Sequence, residues 1–180
     1  MDRAKYFESC SNTLECYLVR KYRIPVLVYD VPDPFTGDLN GQEIHIDYAL
    51  SNEDKLFLIA HLFGHTVQWC MKPSTRKTGV QVHIPVTDEQ LQPLLDYEQG
   101  AARYALKLLH LNGIKDLDQW LTDYSACDLA YLAHFYRTGE KNDPKSFWKN
   151  GVSPLIKPAP IPRRFKPKKW VDRSNTGIVI

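Results

Sequence analysis

The sequence predicts an α+β domain, with short strands early in the chain and a mainly helical C-terminal half. Three observations carry that expectation. Two β-favouring runs, 23–30 and 42–50, flank the turn-rich segment VPDPFTGDLNG. Two long stretches of helical periodicity follow, each opened by a capping signal, at Ser51 and at Thr87. With 180 residues, 43% of them hydrophobic, the chain can bury one sizeable core.

Taken in order, residues 2–22 lack Gly and Pro and mix apolar with charged positions, which suits an N-terminal helix. RIPVLVYD (23–30) is a β-branched and aromatic run and reads as a strand, followed by a loop. QEIHIDYAL (42–50) alternates, placing Ile44 and Ile46 on one face and Glu43, His45 and Asp47 on the other. Ser51 and Asp54 resemble a capping box, and Glu53 with Asp54 complements the positive end of a helix running to about Cys70. KPSTRKTG reads as an exposed loop and VQVHIPV (80–86) as a short strand. Thr87 and Gln90 offer a second capping box for a helix to about Leu111, from which Pro93 is expected to split the first turn. A third helical region, one helix or two, spans 116–140 and stops at Gly139.

After residue 140 the composition changes, and PLIKPAPIPRRFKPKKW is proline-rich and basic. The expected organisation is one domain over 1–140 and an extended tail over 141–180, not part of the core.

Charged residues make up 24% of the chain and the formal net charge is +2, which argues against disorder and against a polyanion binder. No window approaches the roughly 18 to 20 apolar residues of a membrane span, and the start lacks a signal-peptide core; a cytoplasmic protein is the expectation. Cys10, Cys16, Cys70 and Cys127 form no C-x-x-C pair and read as reduced thiols.

The chemistry concentrates in DKLFLIAHLFGHTVQW (54–69). At 100° per residue His61 and His65 lie about 40° apart, near Asp54, Phe57, Leu58 and Gln68. Leu56, Ile59, Phe63 and Val67 occupy the other side, so the helix is apolar nearly all round and belongs inside the fold. Two imidazoles one turn apart can aim at one cation. They can equally be core histidines bonded to backbone or to a tyrosine, so a third ligand decides the matter. Gly64 beside them leaves bare backbone for another element to approach.

Glu98 is the candidate third group. In LLDYEQGAARYALKLL (94–109), Leu91, Leu94, Leu95, Ala101, Ala102, Ala105 and Leu109 fall within about 60° of it on a continuous helix. Asp96, Gln99, Gly100, Arg103 and Lys107 take the opposite face. A buried carboxylate must be protonated, paired or metal-bound. An ordinary buried pair with Arg or Tyr is the plain alternative.

HLFGH followed by YEQGAARYALKLL resembles the zinc-peptidase family of ImmA and IrrE. Its pattern is H-E-x-G-H and then E-x-x-A-x-x-F/Y-A-x-x-L-L. His61, Gly64 and His65 match the first part; Glu98, Ala101, Tyr104, Ala105, Leu108 and Leu109 match the second. The resemblance covers roughly residues 25–110. It implies a zincin-like α+β domain, a small sheet on the histidine helix, and zinc held by His61, His65 and Glu98. It also implies an edge strand, QEIHID or VQVHIPV, that receives an extended peptide or protein partner.

The departure is Leu62, at the position of the family's general base. General-base catalysis is worth roughly 10² to 10⁴ in rate. The expectation is therefore a metal-binding regulatory or partner-binding module without conventional peptidase activity. One alternative is an active hydrolase with a displaced base, for which His45, His83, Glu43 and Asp47 are candidates, since zinc by itself acidifies water. Another is a metal-free fold that contacts nucleic acid through Arg163, Arg164, Lys166, Lys168 and Lys169 beside Phe165 and Trp170. Against that stands a tail that is simply solvated or that packs its aromatics on the domain.

Overall fold

The computed structural model describes residues 2–31, 36–80 and 84–170, with the side chains of 79 and 80 left aside. Helix α1 (Arg3–Tyr22) begins where the Asp2 carboxylate accepts the Ala4 N–H. It buries Phe7, Cys10, Leu14 and Leu18, a stripe at spacings of three and four. Strand β1 (Val26–Tyr29) follows, then β2 (Gly37–Leu39) and β3 (Ile44–Asp47). The sheet order is β1-β3-β2. β1 runs parallel to β3 with Val26 opposite Ile44, and β2 runs antiparallel to it with Gly37 opposite Ile46.

β2 lies inside the segment read as loop. Three residues, one of them glycine, are too few to display a period of two. Gly37 has a packing reason: a Cβ there would stand 3.0 Å from Leu62 Cδ1. The predicted alternation in β3 holds on one side only. Ile44 and Ile46 are fully buried, but His45 is buried as well, with its Nδ1 3.1 Å from the Tyr29 hydroxyl and Glu43 beside its other nitrogen.

Helix α2 (Asn52–Met71) is the centre of the molecule. Ser51 caps it, accepting from Asp54 N–H and donating back to the Asp54 carboxylate at 2.6 Å. α1, the sheet and the later helix α4 (Asp88–Leu111) all pack on it, and Leu56 through Val67 are buried without interruption. Residues Pro73–Val80 form a short helix, α3, instead of the expected loop. Proline at a first helical position costs nothing, since the N–H it lacks would have no partner there. Of the strand expected at 80–86, residues 81–83 lie outside the described residues. Val80 ends α3, and 84–86 are bend and coil.

α4 opens on the complete Thr87–Gln90 capping box and runs unbroken through Pro93. The expected split does not occur. Only the Glu89 carbonyl loses its helical donor to Pro93, and both residues are exposed, so water replaces the bond. Helix α5 (Asp118–Thr138) is a single helix ended by Gly139 in the left-handed region, φ 73°.

Beyond α5 the chain makes a 3₁₀ turn at Pro144–Phe147 and otherwise stays irregular. It is laid across the body: Ala159 N–H donates to Arg103 O, and Trp170 N–H to Asn40 O. Phe165 enters the core between Tyr22 and Phe63, with ring centroids 5.2 and 5.9 Å away. The segment expected to stay out of the core therefore contributes an aromatic ring to it, and aromatic rings carry a large apolar area to bury. Among the described residues, no helix is long and apolar enough to cross a membrane.

Candidate metal centre

The close approach of α2 and α4 builds the site. Gly64 presents bare backbone to α4, and a Cβ there would run into the Ala101 carbonyl. Ala101, Ala102 and Ala105, all buried, supply the matching small surface. At that distance Glu98, one turn before Ala102, projects straight at the histidine pair.

His61, His65 and Glu98 are 1%, 0% and 4% exposed. Glu98 Oε2 lies 3.1 Å from His61 Nε2 and 2.9 Å from His65 Nε2, and the two ring nitrogens are 2.9 Å apart. Three donor atoms thus converge on one point. Ligands around a tetrahedral zinc at its usual bond lengths would sit roughly 3.3 Å from one another, only slightly wider. The three residues form a buried group that could hold a metal ion.

The surroundings fix the ring orientations. Gln68 Nε2 donates to Tyr97 O at 2.7 Å, so its Oε1 is the atom facing His65 Nδ1 at 2.9 Å. Nδ1 of His65 must then carry a proton, which leaves Nε2 as the nitrogen aimed at Glu98 and His61 and as the one available to a cation. This is the arrangement in which an outer partner sets the tautomer of a metal-binding histidine. His61 stacks on Phe57, centroids 5.2 Å apart, and its Nδ1 is buried with no hydrogen-bond partner.

Burial by itself would raise the Glu98 carboxyl, but His65 and His61 beside it outweigh burial and hold it down at about 2. The group is thus a carboxylate anion in an apolar interior, facing two nitrogen donors. That set accepts a divalent cation of borderline softness.

Leu62, where the family pattern has its base, is fully buried and packed beneath β2 against Gly37. The proposed substitutes are occupied elsewhere. Asp47 accepts from the Val31 and Ala49 N–H groups. Glu43 binds the Asn40 amide and lies near Lys169, and His45 contacts Tyr29. None of these joins the group of three, and His83 lies outside the described residues. Of the basic cluster, Arg163, Arg164, Lys166, Lys168 and Lys169 are exposed, whereas Phe165 is buried and Trp170 stacks under Arg76 and Lys168, each 4.9 Å from the ring.

One residue of the neighbourhood escaped sequence reasoning. Asp128 on α5 is 5% exposed, and burial pushes its carboxyl up to about 7, against the pull of His61 and with the Glu98 charge adding to the rise. The signal that found Glu98 would have found it: Leu121, Ser125, Leu132 and Phe135 share its buried face at helical spacing.

No protein-family model, no curated protein and no solved structure matches this chain.

Proposed function

We propose that the chain is a zincin-like metal-binding protein whose His61, His65 and Glu98 hold one zinc ion, and which works as a regulatory or partner-binding module without conventional peptidase activity. The observation that carries this reading is the convergence of three buried donor atoms within 3.1 Å, one of them an anion, with Leu62 sealed beneath the sheet where a base would have to stand.

When bound, the ion supplies a Lewis acid and cross-links α2 to α4. The chain's own residues orient and shield it. Gln68 holds the His65 ring, Phe57 and Tyr97 flank the two imidazoles, and the enclosing helices keep bulk water away. Such a closed, low-exposure arrangement favours a structural role over turnover. QEIHID, expected as a receiving edge, is β3 and lies in the middle of the sheet, so a partner peptide fits best as an added strand on β1, an outer strand with Leu27, Val28 and Tyr29 exposed.

The test is metal analysis of protein purified without added metal, followed by zinc titration of wild type and His61→Ala. Near-stoichiometric zinc in the wild type and none in the variant is expected. A wild type that neither carries nor takes up metal sinks the reading. A peptide-hydrolysis assay on zinc-loaded protein should give no turnover that Glu98→Ala abolishes.

A further inference from the structure

We infer that Asp128 belongs to the metal centre as the carboxylate partner of His61, accepting a hydrogen bond from Nδ1–H and so fixing which nitrogen of that ring faces the ion. The inference rests on the zinc reading above and adds to it a positioning residue from a third helix, α5.

The placement follows from the register of α5 along α2. Trp120 Nε1 donates to Glu53 Oε1 at 2.8 Å. Tyr124 donates to Asp54 Oδ1 at 2.6 Å and stacks on Phe57 with centroids 3.9 Å apart. Residue numbers climb together on both helices, so the two run in step, turn for turn. One turn beyond Phe57 stands His61, and one turn beyond Tyr124 stands Asp128. Leu58 and Asp128 border the same cleft.

Two unmet needs meet at that level. His61 Nδ1 is buried without a partner. Asp128, almost as deeply buried, accepts no hydrogen bond among the described residues, and His61 and Glu98 are the charged groups that act on it. A neutral imidazole that gives Nε2 to a cation carries its proton on Nδ1, and a buried proton of that kind needs an acceptor. His65 has one in Gln68; Asp128 is the corresponding group for His61.

Charge agrees with this assignment. A dication with two neutral imidazoles and the Glu98 anion leaves one uncompensated positive charge in an apolar interior. The Asp128 carboxylate cancels it. Space agrees as well. The outer side of Asp128 borders a cleft of about 480 Å³ with Leu58, Tyr124, Cys127, Lys145 and Trp148 on its walls. A turn of the carboxylate toward the ring, or one bridging water, completes the contact.

Zinc affinity measured by competition with a chromophoric chelator, on wild type, Asp128→Asn and Asp128→Ala, tests the inference. Asp128→Ala is expected to bind zinc 10- to 100-fold more weakly, about the cost of losing such an outer partner. Asp128→Asn, which keeps an accepting oxygen but no charge, should fall between. A purely structural role would not move a second readout, the nitrogen-edited spectrum of the histidine rings. In zinc-loaded wild type the His61 Nδ1 proton should be visible and slow to exchange, and in Asp128→Ala it should be lost to exchange. Wild-type affinity in folded Asp128→Ala, or a fast-exchanging Nδ1 proton in the wild type, overturns the inference and leaves the zinc reading standing. Absence of zinc binding by the wild type overturns both.

Discussion

Glu98 is the residue on which the centre turns, because a single buried carboxylate serves two imidazoles at once. Without it two ring nitrogens 2.9 Å apart would face each other with no anion between them. Removing one member of a buried ionic group typically costs about 3 kcal/mol or more. Glu98→Ala should lower stability to urea by about that amount in metal-free protein and abolish zinc uptake; an unchanged urea midpoint would show that the group is not coupled as drawn. Leu62 teaches the opposite lesson. Restoring a glutamate at this position looks, from sequence, like a repair of catalysis. In the structure Leu62 is fully buried against Gly37, so Leu62→Glu drives a carboxylate into a packed interface. The expected result is a loss of about 3 kcal/mol or more, read by chemical denaturation. A variant that keeps wild-type stability and gains peptide cleavage would refute that view of the site.

At the scale of elements, the distance between α2 and α4 decides whether donor atoms meet. Gly64 against the Ala101 backbone sets it. Gly64→Ala would gain helix propensity in isolation, yet here its methyl has to push α4 away. Overpacking of this kind costs about 3 kcal/mol at a rigid backbone contact. The variant should be less stable and bind zinc more weakly, since Glu98 retreats with its helix. Unaltered zinc affinity would mean that the centre tolerates the displacement. The other decisive element is the C-terminal segment. Phe165 fills the space between Tyr22 and Phe63, so Phe165→Ala is expected to cost about 3 kcal/mol, whereas a merely solvated tail would lose almost nothing.

Across the whole molecule, the buried acid on α5 predicts a pH dependence. In metal-free protein Asp128 titrates at about 7 when folded, against about 3.9 in an unfolded chain. Between those values the folded state holds a proton that the unfolded state has released. Stability from this group is therefore full below about pH 4 and declines as pH rises toward 7. Urea midpoints of the metal-free wild type should carry that downward contribution from about pH 4 to 7, and Asp128→Asn should lack it. Identical slopes in the two proteins would show that Asp128 is not held in the environment described.

Much of this was legible from residue order alone, and for identifiable reasons. A helix apolar on every side must be interior, which placed His61 and His65. A charge centred on an apolar stripe must find a partner, which placed Glu98 opposite them. Capping chemistry located the starts of α2 and α4, since Ser51 and Thr87 act on backbone groups two or three residues away. All of these are local or periodic signals. β2, the continuity of α4 through Pro93, the entry of Phe165 into the core and the place of Asp128 beside His61 are of another kind. Each depends on what lies across the fold: a sheet partner for Gly37, solvent for the Glu89 carbonyl, two rings for Phe165, a parallel helix for Asp128. The sequence by itself determined which residues had to be buried and which of them needed partners. Only the tertiary structure decided who those partners are, because a contact between separate chain segments leaves no period in the sequence that could announce it.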